Sequence, residues 1–128
     1  MGTRKTTSTN TRNRAVLAQA CSMTYALNLV GGRWKLAILC KLYKRTLRFG
    51  ELKKTLYPIT DRMLTLQLRE LEQDGLVTRA VFAEVPPRVE YTLTASAQAL
   101  SPIWKGLEVW GNAHRQINEV LIANDTGC

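Results

Sequence analysis

The sequence has few of the residues that build catalytic or metal-binding sites. Its 128 residues include one histidine and three cysteines. The cysteines, Cys21, Cys40 and Cys128, lie far apart, so their spacing predicts neither a disulfide framework nor a zinc site. Gly31-Gly32 marks the end of a predicted helix and does not form a Gly-rich loop that could cradle a phosphate group. We therefore expect no metal, no cofactor and no enzymatic activity.

Long apolar segments are also absent. No run approaches about 18 apolar residues, the length that a membrane-spanning helix needs. Residues 1–14 are rich in Thr, Ser, Asn and Arg and lack the apolar stretch of a secretory signal. They predict a basic, disordered arm, and residues 124–128 predict a short tail. The expected location is cytoplasmic, without membrane association.

Positive charge is what the sequence does have, and it is concentrated in the first half. The formal net charge is +8, of which residues 1–14 carry +4 and residues 33–54 carry +7, while the remainder is slightly acidic. Such an asymmetry favours a protein that presents one face to a polyanion. Charge that serves only solubility is the alternative.

The order of predicted elements is helical with one β-hairpin. Apolar spacing and capping signals predict helices and strands. The predicted helices cover 15–30, 34–43, 49–56 and 61–74, followed by strands 77–82 and 89–93 and a helical region 95–123. This mainly α fold with a small β-hairpin (α+β) is that of a winged helix-turn-helix. We expect a single domain over 15–123, with its DNA-binding part at 33–94 and dimerisation helices at 15–30 and 95–123.

The fourth predicted helix has the features of a recognition helix. Leu64, Leu68 and Leu71 form its inner stripe, so the opposite face points outward. Leu66 lies on that outer face, where solubility does not explain a leucine. Arginine can pair with guanine, and apolar side chains can meet thymine methyl groups. The expected base-contacting residues are Arg62, Met63, Thr65, Leu66 and Arg69; a solvated face is the alternative for the two arginines.

Neighbouring polar and basic residues could bind the DNA backbone. Phosphate contacts come mostly from cations and hydroxyl groups. The candidates are Arg48, Lys53, Lys54, Thr60 and Arg88. Ordinary surface charge is the alternative for the lysines and Arg48. Arg88 follows Pro86-Pro87 in the predicted wing, and its alternative is an ion pair with Glu84 or Glu90.

A heptad-like spacing of apolar residues marks the C-terminal helical region. Alternating steps of three and four residues are typical of a helix that packs along one stripe. The stripe consists of Leu100, Ile103, Leu107, Trp110, His114, Ile117 and Leu121. We interpret it as a dimer interface; cover from within the same chain is the alternative. His114 could fix the register of such an interface.

Several sequence blocks, in one order over residues 21–111, strongly resemble the HxlR-type regulators. These blocks are Cys21-Ser22-Met23, Gly31-Gly32-Arg33-Trp34-Lys35-Leu36, Arg48-Phe49-Gly50-Glu51-Leu52, Met63-Leu64-Thr65, Leu68-Arg69-Glu70-Leu71-Glu72-Gln73-Asp74-Gly75-Leu76-Val77 and Val85-Pro86-Pro87-Arg88-Val89-Glu90-Tyr91-Thr92-Leu93-Thr94. The resemblance implies a bacterial or archaeal transcription factor. It also implies a homodimer built from the N-terminal and C-terminal helices, Met23 included, on an inverted-repeat operator.

The resemblance also draws attention to Cys21. It stands where a cysteine recurs in the family and senses electrophiles or oxidants in some members, although this chain has Cys-Ser where Cys-Pro is usual. A helix start and a basic arm nearby would favour its thiolate. An oxidant or small-molecule effector is therefore one hypothesis, and an unreactive structural cysteine is the other.

The leading hypothesis is a homodimeric, sequence-specific regulator of double-stranded DNA, acting as a repressor. One alternative is a basic DNA-packaging protein without sequence preference, which would need only cations. Another is a winged helix that has become a protein-interaction module.

Overall fold

The computed structural model describes residues 9–118, which form two compact units, 9–32 and 33–118. The first unit contains α1 (Thr9–Ala20) and α2 (Ser22–Val30). The second contains α3 (Lys35–Lys44), β1 (Leu47–Arg48), α4 (Phe49–Thr55), α5 (Asp61–Gln73), β2 (Val77–Phe82), β3 (Arg88–Leu93), α6 (Ala95–Ala99) and α7 (Ser101–Asn118). Among these residues no helix is both long and apolar enough to cross a membrane.

The first unit corrects two expectations. The predicted single helix 15–30 is wrong, because Cys21 is extended (φ −137°, ψ 113°) and separates α1 from α2. Residues 15–30 contain no glycine or proline that would indicate a break, and their apolar spacing continues across Cys21. The predicted arm 1–14 is also too long, since α1 already begins at Thr9; residues 1–8 lie outside the described residues.

Glycine is required where α2 ends. The Gly31 N–H donates to the Leu27 carbonyl at 2.6 Å. A Cβ at position 31 would collide with that same carbonyl oxygen. The predicted stop at Gly31-Gly32 is thus confirmed.

The β-hairpin of the second unit matches the prediction closely. Strand β2 covers Val77–Phe82, and β3 begins one residue earlier than expected, at Arg88. The strands pair antiparallel, with Val77 opposite Leu93. The unpredicted β1 adds Leu47 opposite Tyr91, which gives the sheet order β1-β3-β2. Two residues are too few to show strand alternation in a sequence.

The core of the second unit lies between its helices and one face of this sheet. Six of its most buried side chains come from α3, α4 and α5: Ile38, Leu39, Leu52, Leu64, Leu68 and Leu71. Burying side chains of this size contributes about 1.5–3 kcal/mol each. This core fixes how α5 presents its remaining faces.

A tight turn carries the chain from α5 into the wing. Gly75 has φ +75°, a left-handed conformation that suits glycine. The Leu76 N–H then donates to the Leu71 carbonyl at 2.9 Å. The Thr94 hydroxyl donates to the Gly75 carbonyl at 2.8 Å, which joins the end of β3 to this turn. Helix α5 ends at Gln73, one residue before the predicted end at 74.

The C-terminal helical region is interrupted at Leu100, between α6 and α7. Trp104 anchors α7 on α3, because its buried ring makes an edge contact with Tyr43 at 5.7 Å. Hydrogen bonds from Ser101 and then Lys105 lower the pKa of the Tyr43 hydroxyl. Residues 119–128, which include Leu121 and the predicted tail, lie outside the described residues.

Candidate nucleic-acid interface

Helix α5 begins with a side-chain cap. The Thr60 hydroxyl accepts a hydrogen bond from the Met63 N–H at 3.1 Å. Asp61 follows in the first turn, where the helix dipole favours a carboxylate. The hydroxyl proposed for a phosphate contact therefore also fixes the start of the helix.

The outer face of α5 carries most of the predicted base-contacting residues. Arg62, Leu66 and Arg69 are exposed, whereas Thr65 is half-buried. These four line one shallow depression together with Asp61. The inward leucine stripe and the outward face are thus arranged as the spacing predicts, and contact with bases stays a prediction.

Met63 lies at the edge of this face. Its side chain is exposed, and its sulfur accepts a hydrogen bond from the Gln67 amide at 3.3 Å. The amide therefore holds the methionine side chain along the surface of α5, and Met63 does not line the depression.

An ion pair that the sequence did not predict connects α5 to α3. The Lys35 Nζ lies 2.7 Å from a Glu70 carboxylate oxygen, and the lysine side chain is only 11% exposed. This pair joins the start of α3 to α5. The position of Lys35 in the sequence gave no signal of its partner.

The cations on α4 and at its N-cap differ in their exposure and in their ion-pair partners. Lys54 and Arg48 are exposed, and the Arg48 backbone N–H donates to the Glu51 carboxylate at 2.8 Å. Lys53 forms an ion pair with Asp61 at 2.7 Å, with both side chains largely exposed. Exposed pairs of this kind are weak, so Lys53 can exchange its partner for a phosphate.

Arg88, the first residue of β3, forms the ion pairs that were the alternative to its contact with DNA. Its guanidinium lies 3.1 Å from Glu84, 3.4 Å from Glu90 and 4.1 Å above the Phe82 ring. Two carboxylates therefore offset its charge. Val85, at the tip of the wing, is fully exposed.

The predicted interface residues on α7 form an exposed stripe. Ile103, Leu107, Trp110, His114 and Ile117 all face outward. The imidazole of His114 stacks on Trp110 with ring centroids 4.9 Å apart. Leu100 departs from the stripe, because it is half-buried and lies at the break before α7. In the first unit, Met23 is exposed on α2.

Cys21 occupies the N-cap position of α2 and is half-buried. Hydrogen bonds from the Thr24 hydroxyl, and then from the backbone N–H groups of Thr24 and Met23, lower the pKa of its thiol. Cys40 is buried in α3. Over residues 9–118 no group of three or more His, Cys, Asp or Glu side chains could hold a metal ion.

One basic residue close to α5 was not predicted from the sequence as part of the site. Arg79 lies on β2 opposite Tyr91, on the strand face that buries Val77. Period-two alternation from Val77 was the signal that could have located it. Arg79 and Arg69 line a common cleft next to the recognition face.

These elements define a winged helix-turn-helix, the DNA-binding module of many transcriptional regulators: a bracing helix, a capped second helix and a β-hairpin wing. Residues 29–119 match the family described as HxlR-like helix-turn-helix. The chain belongs to this family and is a DNA-binding transcriptional regulator of the winged-helix type.

Relatives and solved structures agree with this assignment. An uncharacterized HTH-type transcriptional regulator of Methanothermobacter thermautotrophicus is 48% identical over 94 residues, covering 73% of this chain and 72% of that protein. The regulator YybR of Bacillus subtilis is 41% identical over 106 residues, covering 83% and 85%. The redox regulator HypR in its reduced form is 40% identical, with a TM-score of 0.74, and covers 79% of this chain and 100% of that one.

Proposed function

We propose that the protein is a homodimeric repressor that recognises an inverted-repeat operator in double-stranded DNA and responds to oxidants or electrophiles through Cys21. The observation that carries this proposal is the outer face of α5. There Arg62 and Arg69 flank Leu66, a 46% exposed leucine on a helix whose other leucines are buried. Cations alone give binding without sequence preference, whereas an apolar side chain among them can read a thymine methyl group.

The backbone contacts follow from the cations around this face. Arg48, just before α4, and Lys54 on α4 are exposed, and Lys53 forms a solvent-exposed ion pair. Each phosphate neutralised releases counterions, so these residues add affinity for every sequence alike. Thr60 lies at the start of α5, where backbone N–H groups also favour an anion. Arg88 contributes less, because Glu84 and Glu90 offset its charge.

Homodimerisation is supported by the apolar stripe of α7. Ile103, Leu107, Trp110 and Ile117 are each at least half exposed on the helix. Spacings of three and four residues suit packing against a second helix of the same kind. A two-fold dimer would place two recognition helices about 34 Å apart, one turn of DNA. Such a dimer occludes its operator, which is the simplest route to repression.

A sensing role for Cys21 is supported by its position and by similarity. The thiolate is the reactive form of cysteine, and hydrogen bonds to Thr24 favour it. HypR, to which the chain is similar, is described as a redox regulator. Reaction at the first turn of α2 would alter the first unit of the protein and, in the dimer that we propose, its assembly.

Selection of bound sequences from a random DNA pool tests the proposal directly. The reduced protein is used at about 150 mM salt, where non-specific binding is weak. We expect enrichment of an inverted repeat. Failure to enrich any sequence, with binding only at low salt, would favour the packaging or protein-interaction alternatives.

Two variants then separate the proposed roles. Arg62→Ala should lose about 1–3 kcal/mol on the selected operator and flatten base preference at one position of each half-site. The matched control, Lys53→Ala, should weaken all sequences alike and lower the salt slope by about one. Both are measured by fluorescence anisotropy over a salt series. Equal weakening of all sequences by Arg62→Ala would contradict the recognition role of α5.

A further inference from the structure

An open cleft lies along one flank of α5, where the helix meets the start of α4 and the β2–β3 hairpin. Thr65, Arg69 and Glu72 follow one another at steps of four and three residues, so they share this flank of the helix. Arg79 lines the cleft from β2. Thr65 and Arg69 also line the depression on the outer face, so the cleft begins where that face ends.

The flank of a recognition helix is where the DNA backbone passes. A helix with its side chains is about 10–12 Å across, and the major groove is about 12 Å wide. A helix that lies in the groove therefore has phosphates along both of its sides. With the exposed Leu66 directed at the bases, the opening of the cleft lies on one of these sides.

The two arginines of the cleft are available to an anion. Arg69 and Arg79 are both exposed. Among residues 9–118, neither guanidinium forms an ion pair with a carboxylate. Guanidinium groups bind phosphate oxygens through paired hydrogen bonds, and the Thr65 hydroxyl can donate one more.

The rest of the lining suits an oxyanion better than an apolar ligand. Leu68 and Tyr91 are buried in the core, so the exposed lining is mainly polar. Glu72 is the one carboxylate among the lining residues, and the two arginines outweigh it. The summed formal charge of these side chains is therefore positive.

The far end of the hairpin differs from its base in charge. Arg88 lies 3.1 Å from Glu84 and 3.4 Å from Glu90, which together offset its charge. Val85, at the tip, is uncharged and fully exposed. Over residues 77–93, Arg79 is the basic side chain that no ion pair neutralises. The free positive charge of the wing thus lies at its base, beside α5.

We propose that Arg69 and Arg79 together bind one phosphate of the DNA backbone in this cleft, so that the wing holds DNA at its base rather than at its tip. The Thr65 hydroxyl donates to the same phosphate. Arg69 then contacts the backbone, and base preference rests on Arg62 and Leu66. The proposal rests on the proposed function, because its partner is duplex DNA, but it does not depend on any particular operator.

The salt dependence of DNA binding tests this site. Full-length protein is titrated into a labelled duplex of random sequence, and into the selected operator, at salt concentrations from about 50 to about 200 mM. Arg79→Met should weaken binding of both duplexes about tenfold and lower the salt slope, while base preference stays unchanged. Arg79→Lys keeps the charge and should preserve the slope.

Arg45→Met is the matched control, because Arg45 is an exposed arginine outside the cleft. It should leave the salt slope unchanged. Circular dichroism establishes that each variant is folded. Equal effects of Arg45→Met and Arg79→Met would overturn the proposal, since they would reflect only the overall charge of the protein.

A double variant tests whether the two arginines share one phosphate. The slope counts neutralised phosphates, so Arg69→Met/Arg79→Met should lower it by about one per protomer. A decrease of about two would mean two separate phosphates and would overturn the shared site. Glu72→Gln removes the opposing charge and should strengthen binding of both duplexes; weaker binding would contradict an anion in the cleft.

The two proposals fail in different ways. An unchanged slope in Arg79→Met, with the operator still selected by wild-type protein, would overturn the phosphate site alone. A slope that depends on Arg79 on random duplex, with no sequence enriched in the selection, would support the phosphate site and overturn sequence-specific recognition. Absence of binding to any duplex would overturn both.

Discussion

Cys21 shows how one position acquires its chemistry from a helix end. An extended backbone places Cys21 at the N-cap position of α2, where the neighbouring Thr24 lowers the pKa of its thiol. Donors that stabilise the thiolate lower the pKa of a thiol. The sequence left a reactive and a structural cysteine as alternatives, and Thr24 is the first cause of the lowered pKa.

The pH dependence of Cys21 alkylation should reveal this partner. The thiolate forms as pH rises through the pKa, so a lowered pKa moves the onset of reaction with iodoacetamide to lower pH. Thr24→Val removes the hydroxyl donor and should shift the midpoint of the rate profile to higher pH. Peptide mass spectrometry assigns the rates to Cys21, and Cys21→Ser gives the background. An unchanged midpoint in Thr24→Val would contradict the assigned cause.

Ion pairs are the residue-level feature that spacing could not predict. Lys35 pairs with Glu70, and Lys53 pairs with Asp61. Each pair joins groups on two different helices, whose distance depends on how the helices pack. The partners of Arg88 were predictable from the sequence, because Glu84 and Glu90 are close to it along the chain.

Helix α5 has leucines both in the core and on the exposed face. Leu68 is 2% exposed, whereas Leu66, half a turn away, is 46% exposed. A rotation of 100° per residue places them on opposing sides of the helix. The two leucines therefore form a matched pair for separating folding from DNA recognition.

Leu68→Ala should lower the free energy of unfolding by about 2–5 kcal/mol, because it leaves a cavity in the core. Leu66→Ala should change it by no more than about 0.5 kcal/mol, since nearly half of Leu66 is already exposed and its removal leaves no core cavity. Urea denaturation at one protein concentration measures both. Leu66→Ala should still weaken operator binding; a large loss of stability there would contradict the outward orientation of Leu66.

Element boundaries were predictable where a local signal marks them. The cap at Thr60 and the stop at Gly75 are side-chain and backbone effects within a few residues. The break at Cys21 and the two-residue β1 carry no such signal. β1 exists because Leu47 finds Tyr91 on a strand more than forty residues later, a contact that only the folded chain provides.

At the scale of the whole molecule, the apolar stripe on α7 is exposed among the residues that the structure describes. Trp110 and Ile117 are 64% and 81% exposed, which is costly for large apolar side chains in water. Val109, on the same helix but off the stripe, is 70% exposed. It therefore provides a matched position for testing the stripe.

Trp110→Glu should convert the dimer that we propose into a monomer, because a carboxylate would be buried without a partner. Val109→Glu should leave the dimer intact. Sedimentation equilibrium gives the mass of each variant, and circular dichroism confirms that each is folded. Two dimers, or two monomers, would contradict an interface centred on the stripe.

The sequence by itself determined the family, the helices and the β2–β3 hairpin of the second unit, and the inward and outward faces of α5. These follow from period, caps and turn residues, which act over a few positions. The tertiary structure decided which groups from separate segments meet: Lys35 with Glu70, Leu47 with Tyr91, and Arg69 with Arg79 around one cleft. Such meetings depend on how the core packs helices against the sheet, and no local pattern encodes that distance.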